Sequence, residues 1–269
     1  MELPFIIVGI LAIVGVLFYL AHLSAKKRTE EMDAVAGTLG LDFFPESDPA
    51  VPAALGKLRL FDRGRKKRFM NMMTGTANGV RIAIFGYRYT TGSGKHQHTH
   101  QQTVISFQSE HLALPDFELR PEGMFHKIGQ AFGYKDIDFD SHPTFSKRYL
   151  LRGPNEAAIR ELFAPDVLEL FEDQKKGTCV EAGNDRLIFY RAGKRLKPEQ
   201  IRDFMEEGFA IYSTLKRSNE AQGGAVPGTK CSVRRKSAVS TADTYPAAQP
   251  LAIQDSLETI GIRQSHVCS

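Results

Sequence analysis

From Pro4 to Leu23 the chain reads PFIIVGILAIVGVLFYLAHL, without one charged side chain. About 20 helical residues at about 1.5 Å each match a hydrocarbon core of about 30 Å. The segment is apolar on every side rather than along one stripe, as a membrane span is and a surface helix is not. Pro4, Phe5, Ile10, Val14, Phe18 and Leu23 are therefore read as membrane-spanning positions. A cleaved signal peptide fits less well. Only Met1, Glu2 and Leu3 precede the run, and Ala21-His22-Leu23 is a poor cleavage site.

After the span the pattern changes twice. Met32, Val35, Ala36 and Leu39 form a helical stripe that Gly40 can stop, so the membrane helix can extend into a soluble one. Asp42 to Ala54, with Pro45, Pro49 and Pro52, reads as a connector. From about Leu58 to Leu119 the period becomes two. Asn78-Gly79 is a hairpin turn between Phe69–Thr76 and Val80–Tyr89. In the second strand Val80, Ile82 and Ile84 point one way and Phe85, Tyr87 and Tyr89 the other. The turn Thr91-Gly92-Ser93-Gly94 leads to a strand over Gln101–Gln108.

Leu114 to Ser146 is rich in Pro, Phe and Asp and carries no clear assignment. Within it Asp136, Asp138 and Asp140 alternate with Ile137 and Phe139, as on a half-buried strand. Lys147–Leu151 reads as a strand, and Asn155–Phe163 and Asp166–Phe171 read as helices with Pro154 and Pro165 in their first turns. A hairpin, Thr178–Glu181 and Arg186–Tyr190, follows. Pro198 then opens a helix whose face carries Ile201, Phe204, Met205, Gly208, Tyr212 and Leu215. The fold expected is α+β: an N-terminal transmembrane helix, then an antiparallel sheet packed with helices, as one unit or two tightly joined halves. The boundaries are residues 1–25 for the anchor, 26–216 for the α+β domain and 217–269 for a tail poor in large apolar residues and read as disordered.

At 269 residues, 42% hydrophobic and 25% charged, the chain is otherwise ordinary for a globular protein. Charge adds an orientation. Lys26, Lys27 and Arg28 follow the span directly, while Glu2 alone precedes it, so the positive-inside rule puts the C-terminal bulk in the cytoplasm. A second basic run, Arg63, Arg65, Lys66, Lys67 and Arg68, lies near enough along the chain to meet anionic lipid. Lys26, Lys27, Arg28, Arg65, Lys66, Lys67 and Arg68 are the lipid-surface candidates; the alternative is a solvated loop between strands. No nucleic-acid partner is expected. Cys179, Cys231 and Cys268 cannot all pair within one chain and indicate no disulfide framework.

Most motifs fail on their spacing. Gly92-Ser93-Gly94-Lys95 lacks the first glycine and the final Ser or Thr of a Walker A loop, where Tyr89 and His96 stand. Asp136, Asp138 and Asp140 are followed by Ser141 and Lys147 where a calcium loop needs Gly and Glu. His96, His98 and His100 alternate along an extended segment with about 7 Å between successive imidazoles, wide for one metal. Arg234-Arg235-Lys236-Ser237 matches a basophilic kinase pattern too short to carry weight.

The segments Phe85-Gly-Tyr-Arg-Tyr, Gln102-Thr-Val, Leu114-Pro-Asp-Phe-Glu-Leu-Arg-Pro-Glu, Asp136-Ile-Asp-Phe, His142-Pro-Thr-Phe-Ser and Tyr149-Leu-Leu-Arg-Gly resemble a family of uncharacterised bacterial single-pass membrane-anchored proteins. The resemblance spans roughly Leu58 to Leu215 together with the anchor, and it implies the bacterial inner membrane. It brings no reaction and no catalytic residue. The function expected is a membrane-tethered interaction or scaffolding domain without cofactor, whose partners are the bilayer and an unidentified protein. The second reading is a membrane-bound metal-dependent hydrolase using His96, His98 or His100 with an aspartate from Asp136–Asp140.

Overall fold

A computed structural model of the chain describes residues 3–48, 50–56, 58–123 and 135–223. Leu3–Leu39 form one unbroken helix, α1. It is long and apolar enough to cross a membrane, and no part of its most apolar stretch is buried. Phe18, for example, is 78% exposed. The far end of the same helix behaves differently, because Met32, Ala36 and Leu39 are buried in the domain core. Gly40, at φ +66°, ends the helix in the left-handed conformation that glycine adopts without strain.

Among the described residues eight strands form a single antiparallel sheet: β1 Asp42–Phe44, β2 Arg65–Ala77, β3 Val80–Thr91, β4 His98–Gln108, β5 Leu114–Pro121, β6 Tyr149–Arg152, β7 Thr178–Asn184 and β8 Arg186–Arg191. Their spatial order is β1-β2-β3-β4-β8-β7-β5-β6. The Asn78-Gly79 turn closes β2 on β3 with positive φ at both residues, as a type I′ turn requires. β7 and β8 reverse more tightly than their flanking residues suggested, with Asn184 at φ 52°.

The helices divide between the two faces. α4 Pro143–Arg148, α5 Glu156–Leu162, α6 Pro165–Glu172 and α7 Ile201–Ala221 lie with the end of α1 on one face. There Ile82, Ile84, Ile105, Phe107, Leu119, Leu151, Val180 and Phe189 meet Phe145, Phe163, Phe171, Phe204 and Phe209 in the larger core. Fully burying one such side chain is worth about 1.5–3 kcal/mol, so this face supplies most of the driving force. α2 Ala50–Leu55 and α3 Arg59–Asp62 cover part of the other face. Val51, Leu55, Leu60 and Phe61 pack there on Phe85, Tyr87, Tyr89, Val104, Ile188 and Tyr190. The alternation of β3 is thus buried on both sides.

Several expectations need correction. The connector at Asp42–Ala54 instead holds β1 and α2, because Phe43 and Phe44 pair with Met73 and Met72. The unassigned stretch after Leu114 contains β5. Its Pro115 falls where the register shifts between Leu114 and Phe117, an irregularity that spares the missing N–H. Asp136–Asp140 are not a strand, although Ile137 is buried and its N–H reaches the Leu151 carbonyl at 2.9 Å. Pro154 precedes the Asn155 cap of α5 rather than entering its first turn, whereas Pro165 does open α6. A 3-10 turn over Pro198–Gln200 leads into α7, which runs on to Ala221, beyond the expected end of the domain. The tail from residue 224 lies outside the described residues.

Gly208 marks the closest approach of α7 to the sheet. A Cβ there would stand 3.0 Å from Ile105 Cγ2 and 3.3 Å from Phe107 Cζ. Gly208→Leu should cost about 1–3 kcal/mol through overpacking, while Gly208→Ala should stay within about 1 kcal/mol as helix propensity offsets the tight contact. Chemical denaturation of the two variants checks this, and equal effects would mean that α7 does not sit so close.

Candidate functional site

The second face changes character across the sheet. Under α2 and the start of α3 it is aromatic, but β5, β6 and β7 turn Glu118, Arg120, Arg152 and Glu181 toward it. The registers place Glu118 directly opposite both Arg152 and Glu181. Two carboxylates facing each other on neighbouring strands repel, the more so at 2% and 1% exposure. α3 and the residue after it resolve this.

Arg63 Nη2 donates to Glu118 Oε1 and lies 3.9 Å from Glu181 Oε1. Arg59 and Arg152 reach Glu118 Oε2 at 3.8 and 3.7 Å, and Arg120 reaches its Oε1 at 3.5 Å. Glu181 accepts the Leu60 N–H at 2.9 Å and the Tyr190 hydroxyl at 3.0 Å. One guanidinium therefore bridges two carboxylates, and one of those carboxylates also holds the first turn of α3.

The electrostatics follow from burial. Burial pushes the Glu181 carboxyl up, with Arg63 pulling it back and Glu118 adding to the rise. The Tyr190 hydroxyl is raised for the same first reason. Burial works against the charge on Arg63, but Tyr190, Glu181 and Glu118 together hold its pKa above the ordinary value. Beside them burial pushes the Cys179 thiol up to about 12, so it is a packed thiol and not a thiolate nucleophile. A cavity of about 400 Å³ opens next to the cluster, lined by Arg59, Asp116, Glu181, Asn184, Asp185 and Arg186 among others. Its walls carry both signs of charge. What the cluster does chemically is to lock α3 onto the sheet and close the floor of that cavity.

The sequence candidates lie elsewhere. Lys26 and Lys27 are exposed and stand 3.9 and 3.8 Å from Glu30 and Glu31 on the same helix. Arg28 turns inward, and its Nη2 donates to the Leu196 carbonyl at 2.6 Å. The second basic run is split. Arg63 joins the buried cluster, whereas Arg65, Lys66, Lys67 and Arg68 are exposed on β2 itself rather than on a loop, with the Lys67 ammonium donating to the Phe61 carbonyl.

His96 sits in a 3-10 turn over Gly94–His96, and only His98 and His100 are on β4. His100 stacks on Tyr89 at 4.7 Å and bonds the Thr91 hydroxyl at 2.8 Å; burial, then His98 and Arg63, lowers its pKa. Asp136, its carboxyl pushed up to about 6 chiefly by burial, accepts the Leu151 N–H at 2.9 Å. Among the described residues no group of three or more His, Cys, Asp or Glu is placed to hold a metal, which leaves the hydrolase reading without support. Missed entirely were Arg59, Glu118, Arg120, Arg152 and Glu181. Their alternation with Phe117, Leu119 and Leu151 looks like an ordinary solvent-facing strand edge, and nothing local tells that α3 covers it.

No family model matches the chain, and no curated protein matches it. Among solved structures it is similar to the mycobacterial trehalose monomycolate transport factor A, TtfA, with a TM-score of 0.52 and 12% identity. That likeness covers 71% of this chain and 93% of the other. At this identity the two share a fold.

Arg63→Met removes the bridge while keeping most of the side-chain bulk. It should destabilise the domain by about 3–5 kcal/mol at neutral pH. Glu181, already raised in the folded state, holds its proton more tightly than in the unfolded chain, so its contribution to stability is greatest at low pH and falls as pH rises. Losing Arg63 widens that gap. The deficit of Arg63→Met against the wild type should therefore narrow as pH is lowered from 7 toward 5. A deficit that stayed constant in thermal melts across that range would show that repulsion between Glu118 and Glu181 is not what Arg63 relieves.

Proposed function

We propose that this chain is a membrane-tethered, non-catalytic accessory domain that presents its sheet surface to a protein partner in a membrane transport process. The observation that carries this reading is the continuity of α1, apolar and unburied over its first part and packed into the domain core at Met32, Ala36 and Leu39. A domain built onto its own anchor is held at a fixed attitude to the bilayer, which suits docking more than turnover. The fold shared with a transport factor supports the transport context. Lys26, Lys27 and Arg28 after the span support a cytoplasmic domain at the inner membrane.

The full chain should resist extraction from bacterial membranes by alkaline carbonate, and a reporter active only in the periplasm should stay silent when fused after Ser269. Photo-crosslinking residues placed in turn at exposed positions of the sheet domain should give a discrete adduct with one membrane protein. Release by carbonate, an active reporter, or no adduct at any position would each overturn part of the proposal.

A further inference from the structure

Where α1 enters the domain, four elements bring basic residues together. Arg28 on α1 donates to Leu196, the residue after Arg195. The segment from Gly193 to Leu196 is fixed against β4, with Thr103 N–H on the Lys194 carbonyl at 3.0 Å and Leu196 N–H on the Thr103 hydroxyl at 3.0 Å. Thr103 pairs with Gly86 on β3, two residues from Arg88, and Arg88 pairs in turn with Arg68 of β2. Arg88 shares its parity with Ile82 and Ile84, which face α1 and α7. Burial and then Arg195 lower the Arg28 pKa, and burial and then Arg88 lower that of Arg195, as expected of guanidinium groups set near one another.

The cluster is not neutralised from within. Among the described residues none of Arg28, Arg68, Arg88, Lys194 and Arg195 has a carboxylate within 4.0 Å. The acids acting on Arg28 are Glu31 and Glu199, which lie 3.8 Å from Lys27 and 3.8 Å from Lys197 respectively. Arg28 Nε is buried without a hydrogen-bond partner. Its place along the chain is equally telling. Arg28 follows Leu23, the last residue of the apolar run, by about 7.5 Å of helix, which is the depth of a headgroup layer. Thr29 bonds Asn71 at 3.1 Å and Asp42, past the end of α1, pairs with Thr74, so β2 runs alongside α1 and Arg68 lies toward the apolar part of the helix.

We infer that Arg28, Arg68, Arg88 and Arg195 form a site for the phosphate of an anionic phospholipid headgroup, at the junction of the membrane helix and the sheet. Guanidinium forks bind phosphate oxygens in pairs, and several converging on one point discriminate charged from zwitterionic headgroups where a single lysine does not. The site rests on the membrane-tethered reading and deepens it, because it seats the domain against the leaflet rather than merely near it.

The test is native mass spectrometry of the full chain released from micelles doped with equal amounts of phosphatidylglycerol and phosphatidylcholine. The wild type should keep one phosphatidylglycerol in preference to phosphatidylcholine by about tenfold. Arg88→Gln/Arg195→Gln should bring the ratio near one, Arg88→Lys/Arg195→Lys should restore part of it, and Lys26→Gln/Lys27→Gln should leave it unchanged. Thermal melts confirm that each variant is folded. Equal retention of both lipids by the wild type, or a preference that survives the double glutamine variant, overturns the site. Loss of the lipid to millimolar inorganic phosphate alone also overturns it, in favour of a free-anion site. Carbonate extraction separates the two readings: a chain that stays in the membrane without lipid preference defeats only this site, whereas a chain that washes off defeats the tether as well.

Discussion

Everything in this molecule depends on the last turns of α1 being part of the domain core. Met32, Ala36 and Leu39 are as deeply buried as the central strands and pack in the same cluster as Ile82, Ile84 and Phe107. The helix could not be detached from the sheet without opening that cluster. β1 follows from it, since the chain reverses at Gly40 and returns along β2. The Arg28 bond to Leu196 then ties the same helix to the connection between β8 and α7, so the helix is fastened to both ends of the domain sequence.

The sheet has to be covered on both faces, and the two coverings differ in kind. α7 and its companions bury one face mainly with aliphatic and aromatic side chains, with few polar contacts such as Ser218 on the Leu162 carbonyl and Arg191 on Glu207. The short α2 and α3 hold the other with rings over β3 and with ion pairs over β5 and β7. Phe61 meets Tyr87 edge-on at 4.9 Å, and two residues later Arg63 settles between Glu118 and Glu181. A four-residue helix has little stability of its own. Its position is specified by the charges it must sit over, because any slip would leave two carboxylates buried and opposed.

How much of this could be read from the residues varies with the range of the interaction. The long apolar N-terminal helix, the Asn78-Gly79 hairpin, the two-way alternation of β3 and the stripe of α7 are set by neighbours a few positions apart, and they were legible. β5 was hidden by Pro115 and Pro121, whose cost is avoided by a register shift and by the strand end. The charged cluster was invisible for a different reason. Glu118 and Glu181 are distant in sequence, and Arg63 sits in a run that reads as surface charge until the fold turns it inward. Basic residues at the α1 junction were half legible: Arg28 and Arg68 stood out in runs, while Arg88 and Arg195 come near them only through the pairing of β3 with β2 and the docking of the Gly193–Leu196 segment on β4.

One mechanical consequence follows from the unbroken length of α1. A helix of 37 residues is about 55 Å long, and beyond its first turn it contains no proline. Membrane-spanning helices tilt by about 20° on average, and a tilt of that size in α1 would apply to the whole rod. Because the sheet is packed on its far end, the domain would share such a tilt, with that end standing about 19 Å to one side of an upright rod. For a membrane-spanning α1 the attitude of the sheet follows that of the helix, as an indicator needle follows its spindle.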